Sequence, residues 1–261
     1  MLVYPEIDPI AIQFGPVSIA WYGIMYLLGF IAAFSLARIR VKQDWSPLSK
    51  DHIDDLIFYS VIGVIIGGRL GYMLFYDTTH LFSDPLSWLI ALPQLWNGGM
   101  SFHGGLLGVL CALFIISKRI HQPFVLVVDF VAPLAPIGLG LGRIGNFING
   151  ELWGRPTDSV VGFLVQGTPR HATQLYEATL EGLLLFVILW LYTNKKRPSG
   201  FPAAVFLITY GCFRIFIEFF RLPDVHIGYL YGGWLTLGHL LTIPMMIFGF
   251  CIIIANKLRV K

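Results

Sequence analysis

Seven apolar runs, each close to the roughly 20 residues a helix needs to cross a bilayer, constrain this 261-residue chain more than any other feature. They fall at about 18–37, 55–76, 97–117, 124–143, 174–193, 201–220 and 234–256. In hydrocarbon only helices and closed barrels satisfy their own backbone polar groups, and runs of this length are helical. The chain is 56% hydrophobic and 13% charged, where a soluble domain has about 45–50% and about 25%. It reads as an all-α polytopic membrane protein of seven transmembrane helices forming one integral domain. The fourth run is the most interrupted, by Pro133 and Pro136.

Cations set the orientation, because cytoplasmic loops collect lysine and arginine. Arg38, Arg40, Lys42 and Lys50 follow the first span, and Lys118 and Arg119 the third. Lys195, Lys196 and Arg197 follow the fifth, and Lys257, Arg259 and Lys261 the seventh. The segment before the first span and the loop 77–96 contain none. This predicts an outside N-terminus, a cytoplasmic C-terminus, residues 1–17 lying along the outer interface, and an outer loop 144–173 forming a small extracytoplasmic cap. The N-terminus lacks a basic n-region and its first apolar run is full length, which predicts a retained helix rather than a cleaved leader.

The remaining cations are Arg69, Arg143, Arg155, Arg170, Arg214 and Arg221, all within spans or toward the outer side, and none is a lysine. Arginine keeps its charge in apolar surroundings and offers a planar fork that fits phosphate or carboxylate. The alternative is that each arginine satisfies backbone carbonyls or pairs with Glu151, Glu177, Glu181 or Glu218. Net charge of +3 follows from the topology and gives no reason to expect nucleic acid. Cys111, Cys212 and Cys251 lie in apolar spans with no C-x-x-C or Cys/His cluster, so neither a disulfide framework nor a zinc site is expected.

Three tracts concentrate polar groups. G138-L-G-L-G-R-I-G-N-F-I-N-G-E-L-W-G-R155 carries Arg143, Asn146, Asn149, Glu151 and Arg155 at the exit of the fourth span. Its G-x-G-x-x-G match lacks the strand and βαβ unit of a dinucleotide site. N97-G-G-M-S-F-H-G-G-L-L-G108 puts His103 near the outer mouth of the third span, where it could accept a proton or simply bond a helix carbonyl. In Y210-G-C-F-R-I-F-I-E-F-F-R221, Tyr210, Arg214 and Glu218 recur at i, i+4, i+8, with Arg221 three further on. Span five adds Gln174, Glu177 and Glu181, span two Arg69, Tyr72 and Tyr76, and span one W21-Y-G-I-M-Y26. The chain has no H-E-x-x-H, nucleophile elbow or P-loop. If it performs chemistry, the attacking group comes from a substrate. A lipid-modifying enzyme, a transporter or flippase of an anionic lipid, and a structural subunit all fit this far. A transporter more often shows repeats and paired broken helices.

The tracts G-R-I-G-N-F-I-N-G-E-L-W-G-R and M-S-F-H-G-G-L-L-G, with Q-L-Y-E at 174–177 and Y-G-x-F-R-x-x-x-E-F-F-R-x-P-D at 210–224, resemble prolipoprotein diacylglyceryl transferases. The resemblance runs from about Ala20 to the last span. It implies residence in the bacterial plasma membrane with the active site toward the extracytoplasmic side. It further implies transfer of the diacylglyceryl group of phosphatidylglycerol to the lipobox cysteine of a prolipoprotein, releasing glycerol phosphate, as the first step of lipoprotein maturation. The positions it carries over are Tyr26, His103, Arg143, Asn146, Glu151, Gly154, Tyr210, Arg214 and Glu218. In that reading Arg143 and Arg214 hold the phosphate, and Asn146 and Glu151 meet the head group or Arg143 itself. His103 takes the thiol proton or orients the lipid. No metal or cofactor is called for. The stretch between Arg155 and Arg170 is shorter than in some relatives of that family, which leaves no clear lid role for it.

Overall fold

A computed structural model describes residues 2–15, 17–223 and 228–259. The chain opens with strands β1 (Leu2–Val3), β2 (Ile10–Phe14) and β3 (Val17–Ala20), the last two paired as an antiparallel hairpin. Helices α1 (Trp21–Arg40) and α2 (Asp51–Phe75) follow, then the short α3 (Thr78–Ser83) and α4 (Pro85–Ala91). Next come α5 (Phe102–Arg119), α6 (Phe124–Val131) and α7 (Ala135–Ile148). Strands β4 (Phe163–Val165) and β5 (Thr168–Arg170) lead into α8 (Thr173–Glu177), a π-helical stretch Ala178–Leu184, and α9 (Leu185–Tyr192). Helices α10 (Phe201–Glu218) and α11 (Leu237–Arg259) complete the chain.

The protein is an all-α polytopic membrane protein. Among the described residues, six helical segments are long and apolar enough to cross a membrane, and α6 with α7, bent by 49°, makes a seventh if the pair is one span. Only 17% to 33% of each long span is buried within the protein, so most of its apolar surface faces outward, as lipid requires and water would not tolerate. The bend falls at Pro133, which has no N–H to continue the ladder and whose ring clashes with the preceding turn. Span limits shift by a few residues from the hydropathy reading. The shift that bears on the polar tract is at α7, which stays helical to Ile148, so Arg143 and Asn146 lie inside the helix rather than at its exit. The tract stops at Gly150, whose φ of 68° is left-handed, with the Gly150 and Glu151 amides donating to the Phe147 and Asn146 carbonyls.

Within residues 2–15, read from the sequence as a segment along the outer interface, the chain forms β1 and β2. β1 pairs in parallel with β4, and β4 with β5 through a Gln166–Gly167 turn in which both φ values are positive. Tyr4 packs edge-on against Phe147 (5.4 Å) and Trp153 (5.0 Å), and its hydroxyl donates to the Phe147 and Ile148 carbonyls. Burial pushes the Tyr4 phenol up from its ordinary pKa.

The chain forms two compact units, Met1–Leu36 with Asp129–Lys261, and Ala37–Val128. In the second unit, α2 and α5 meet along glycines spaced by four, Gly63, Gly67 and Gly71 against Gly104 and Gly108. A Cβ on Gly71 would stand 2.7 Å from the Gly104 Cα, and one on Gly108 2.7 Å from the Gly63 carbonyl carbon. Backbone-to-backbone approach of this kind is how membrane helices gain dispersion energy without a hydrophobic driving force. Arg69, 6% exposed, spends its guanidinium on the carbonyls of Ala91 (2.6 Å), Leu92 (3.2 Å), Gly99 (3.2 Å) and Gly98. It thereby folds the loop that enters α5, whose N-cap is the Ser101 hydroxyl.

In the first unit, Gly140 of α7 meets Gly182 of the π-helical stretch, and Gly145 sits under the Tyr22 ring. The buried Asp129 carboxylate caps α10, accepting from the amides of Gly200 (2.6 Å) and Ala203 (3.1 Å). Overpacking a tight glycine contact costs about 1–3 kcal/mol. Gly108→Val is therefore expected to lower the thermal unfolding midpoint of the detergent-solubilised protein. Gly23→Ala, where a Cβ meets nothing within 4 Å, should leave the midpoint unchanged.

Candidate active site

The first unit gathers its charge around one side chain. Glu177 closes α8 with no exposed surface. Its carboxylate lies 3.1 Å from Arg143 Nε on α7, 2.8 Å from Arg214 Nη1 on α10, and 2.5 Å from Arg221 Nη1 just beyond α10. The α8 helix passes directly into the π-helical stretch after Glu177, and Glu181, 1% exposed, comes within 4.0 Å of Arg214 Nη1. Such π-helical segments recur at functional sites. Glu218, on the last turn of α10, presents Oε2 to Arg214 Nη2 (3.0 Å) and Arg221 Nε (3.4 Å).

Three guanidinium groups and three carboxylates thus share one buried pocket of charge. Desolvating each ion costs several kcal/mol, and only paired, hydrogen-bonded geometry recovers it. The three arginines are not equivalent. Arg143 is 24% exposed, against 15% for Arg214 and 14% for Arg221, so its fork forms the open edge of the cluster.

That edge continues along α7. Arg143 Nη1 donates to Asn146 Oδ1 at 3.4 Å, and Asn146 Nδ2 to Glu151 Oε2 at 3.3 Å. Asn149 Nδ2 donates to the other Glu151 oxygen at 3.1 Å. The Gly150 turn folds Glu151 back over the helix end. The segment is fastened to α8 by Gln174 Nε2 on the Glu151 carbonyl and Thr173 Oγ1 on the Leu152 carbonyl (2.8 Å).

Gly154 lies in the strap that follows. Its N–H donates to the His171 carbonyl at 2.8 Å, and it bridges Arg221 in antiparallel fashion. A Cβ there would stand 2.6 Å from Thr173 Cγ2 and 2.9 Å from His171 Cβ, so only glycine fits. Arg155 extends the strap, with its amide on the Phe220 carbonyl, its Nε on the Arg221 carbonyl (2.9 Å each) and its guanidinium 5.3 Å from the Tyr229 ring centre. Arg170 Nη1 donates to the Gly154 carbonyl at 3.4 Å. His171 packs on Phe220 with its ring nitrogen 3.1 Å from the Tyr176 hydroxyl, and burial holds its pKa below the usual value.

Of the residues singled out from sequence, Arg143, Asn146, Glu151, Arg214 and Glu218 join this network, and Gly154 braces it. Tyr210 stands one turn before Arg214 on α10, its ring stacked on Phe206. Tyr26 is exposed on α1, its hydroxyl 3.3 Å from that of Tyr22. His103 belongs to the other unit, exposed on the first turn of α5 and edge-on to Phe102. Asp224, the last residue of the Y-G-C-F-R tract, lies outside the described residues, as does Lys261.

Sequence spacing pairs Arg214 with Glu218 and leaves unassigned the carboxylate that matters most. Glu177 and Arg221 were visible as polar residues in spans, but no spacing on a single helix shows that they meet. Thr236, whose hydroxyl donates to Glu218 Oε1 at 2.7 Å, carries no sequence signal of its own.

The profile of the prolipoprotein diacylglyceryl transferase family matches residues 9–255. A phosphatidylglycerol–prolipoprotein diacylglyceryl transferase of Solidesulfovibrio magneticus is 53% identical over 257 residues, covering 95% of this chain and 94% of the relative. Proteins of the same name from Oleidesulfovibrio alaskensis and Francisella tularensis subsp. tularensis are 50% and 47% identical. They cover 97% and 100% of this chain and 94% and 97% of their own lengths. At that identity, and over that length, the chain belongs to the prolipoprotein diacylglyceryl transferase family.

Proposed function

We propose that this protein transfers the diacylglyceryl group of phosphatidylglycerol to the lipobox cysteine thiol of a prolipoprotein. The observation that carries the chemical reading is the Glu177 hub, which holds three arginines with the fork of Arg143 at its open edge. The thiolate sulfur attacks the glycerol carbon that bears the phosphodiester oxygen. A C–S bond forms, the C–O bond breaks, and the electron pair leaves on glycerol phosphate. The leaving phosphate passes from one negative charge toward two, and guanidinium forks fixed in a low-dielectric site stabilise that change. Arg143 and Arg214 take the phosphate in this scheme. Asn146 and Glu151 orient Arg143 and meet the glycerol, and Gly154 keeps the strap close.

The thiol loses its proton, since the thiolate is the nucleophile, and His103 takes that proton or orients the lipid. Tyr26, Tyr210 and Glu218 complete the lipid-binding set. The cation-free loop 77–96 and the lysine-rich loops at the opposite helix ends support an outside N-terminus and an extracytoplasmic active site in the bacterial plasma membrane. The relatives described above are all named transferases, and nothing favours a transport reading.

Purified protein in detergent, mixed with phosphatidylglycerol and a lipobox peptide, should yield a thioether-linked peptide and glycerol phosphate. Absence of both products sinks the transferase reading. Arg143→Lys and Arg214→Lys keep the charge but lose the fork, and each should lower kcat by about 100-fold. Near-normal turnover in both would rule out bidentate phosphate recognition. His103→Gln should slow transfer by about 100-fold if the imidazole is the base, and an unchanged rate assigns the proton elsewhere. Glu177→Gln leaves three arginines sharing a neutral amide. Breaking a buried pair costs about 3–5 kcal/mol, so this variant should show a large fall in thermal midpoint together with loss of turnover.

A further inference from the structure

The segment entering α11 meets the arginine cluster at Glu218, through the Thr236 hydroxyl and the backbone of Gly238. Thr236, 2% exposed, donates from Oγ1 to Glu218 Oε1 at 2.7 Å, while Arg214 and Arg221 both approach Glu218 through Oε2. The two carboxylate oxygens are therefore divided, one facing the arginines and the other the threonine. Gly238 completes the seat, since a Cβ there would stand 2.5 Å from the Glu218 carboxyl carbon. The threonine is itself held. His239, 3% exposed, brings Nδ1 within 3.0 Å of Oγ1 and accepts the Thr236 N–H at 3.3 Å. The His239 ring is wedged edge-on against Phe219 and Trp234. With Nδ1 already accepting the amide, the hydroxyl proton is directed to the carboxylate.

The Thr236 hydroxyl brings no charge to a cluster in which three guanidinium groups already face three carboxylates. A hydroxyl on the far oxygen of Glu218 instead fixes rotation of the carboxylate about its last torsion, a broad and soft coordinate when unrestrained. That rotation decides whether Oε2 reaches both guanidinium groups together. We propose that Thr236 is a positioning residue: oriented by His239, it sets the Glu218 carboxylate and through it the placement, beside Arg221, of Arg214, which takes the lipid phosphate. The proposal rests on the transferase reading above and adds a residue outside the helices that carry the arginines.

Thr236→Val removes the hydroxyl at nearly constant shape, and Thr236→Ser keeps it. Both are assayed as full-length protein in mixed micelles, with phosphatidylglycerol and lipobox peptide varied separately. A hydrogen bond to a charged group is lost, so Thr236→Val should cut kcat/KM for the lipid by about tenfold or more. KM for the peptide should stay within about twofold, and Thr236→Ser should recover most of the lipid kinetics. Should Thr236→Val fail to hold its fold in detergent, Thr236→Ala makes the same comparison. The proposal is overturned by unchanged lipid kinetics in the hydroxyl-free variant, by a serine variant as impaired as the valine one, or by lipid and peptide parameters falling together. Wild-type protein that forms no product overturns the transferase reading and this one with it. An active wild type with an unaffected Thr236→Val overturns only the role of Thr236.

Discussion

A carboxylate with no exposure to solvent, shared by three guanidinium groups, is the interaction on which the first unit depends. Glu177 joins α7, through Arg143, to α10, through Arg214, and to Arg221 just beyond it, and does so with no surface open to water or lipid. Hydrophobic contact cannot select one arrangement of apolar helices among many in hydrocarbon, because lipid tails are as apolar as leucine. Direction and depth come instead from charges that have only one place to go. The same requirement suits arginine, since lysine presents a point charge, whereas Arg214 meets Glu177 and Glu218 through different nitrogens of one plane.

Much of the architecture follows from apolar length. The seven runs correspond, among the described residues, to six helices long enough to cross a membrane and one pair bent at Pro133. The polar tracts at 143–155 and 210–221 also stood out, because charge within a bilayer-length run has few explanations. What could not be read was the pairing. Four glutamates and six arginines admit many combinations, and their choice depends on helix packing angles that no linear spacing encodes. Arg69 illustrates the other outcome, for its partners are four backbone carbonyls of the loop 91–99 rather than any anion. Strands of two to five residues are too short for periodicity to register. The π-helical turn after Glu177 has no compositional mark, and a threonine at the mouth of a span is an ordinary residue until its hydroxyl is found on Glu218.

The glycines divide into two kinds of work. Those between α2 and α5, and the pair Gly140 and Gly182, remove side chains so that backbones can touch. Gly150 and Gly154 act on the chain's path: one turns it left-handed at the end of α7, the other lets the strap lie against Thr173 and His171. The second kind decides where Glu151 and Arg155 arrive beside the arginine cluster, and Gly238 leaves room for the Glu218 carboxylate.

Asp129 and Glu177 act on the two ends of the same rod. The first caps α10 at Gly200 and Ala203, and the second holds Arg214 and Arg221 near the opposite terminus. An α-helix advances about 1.5 Å and turns about 100° per residue, so a strut pinned at both ends has no slack. One residue inserted or deleted anywhere between Phe201 and Arg214 would swing the guanidinium groups about a quarter-turn away from their carboxylate. The spacing from cap to cluster is thus a ruler: the number of residues between the pins is fixed, while their identity is held only where a side chain packs, as at Gly211 against Met246.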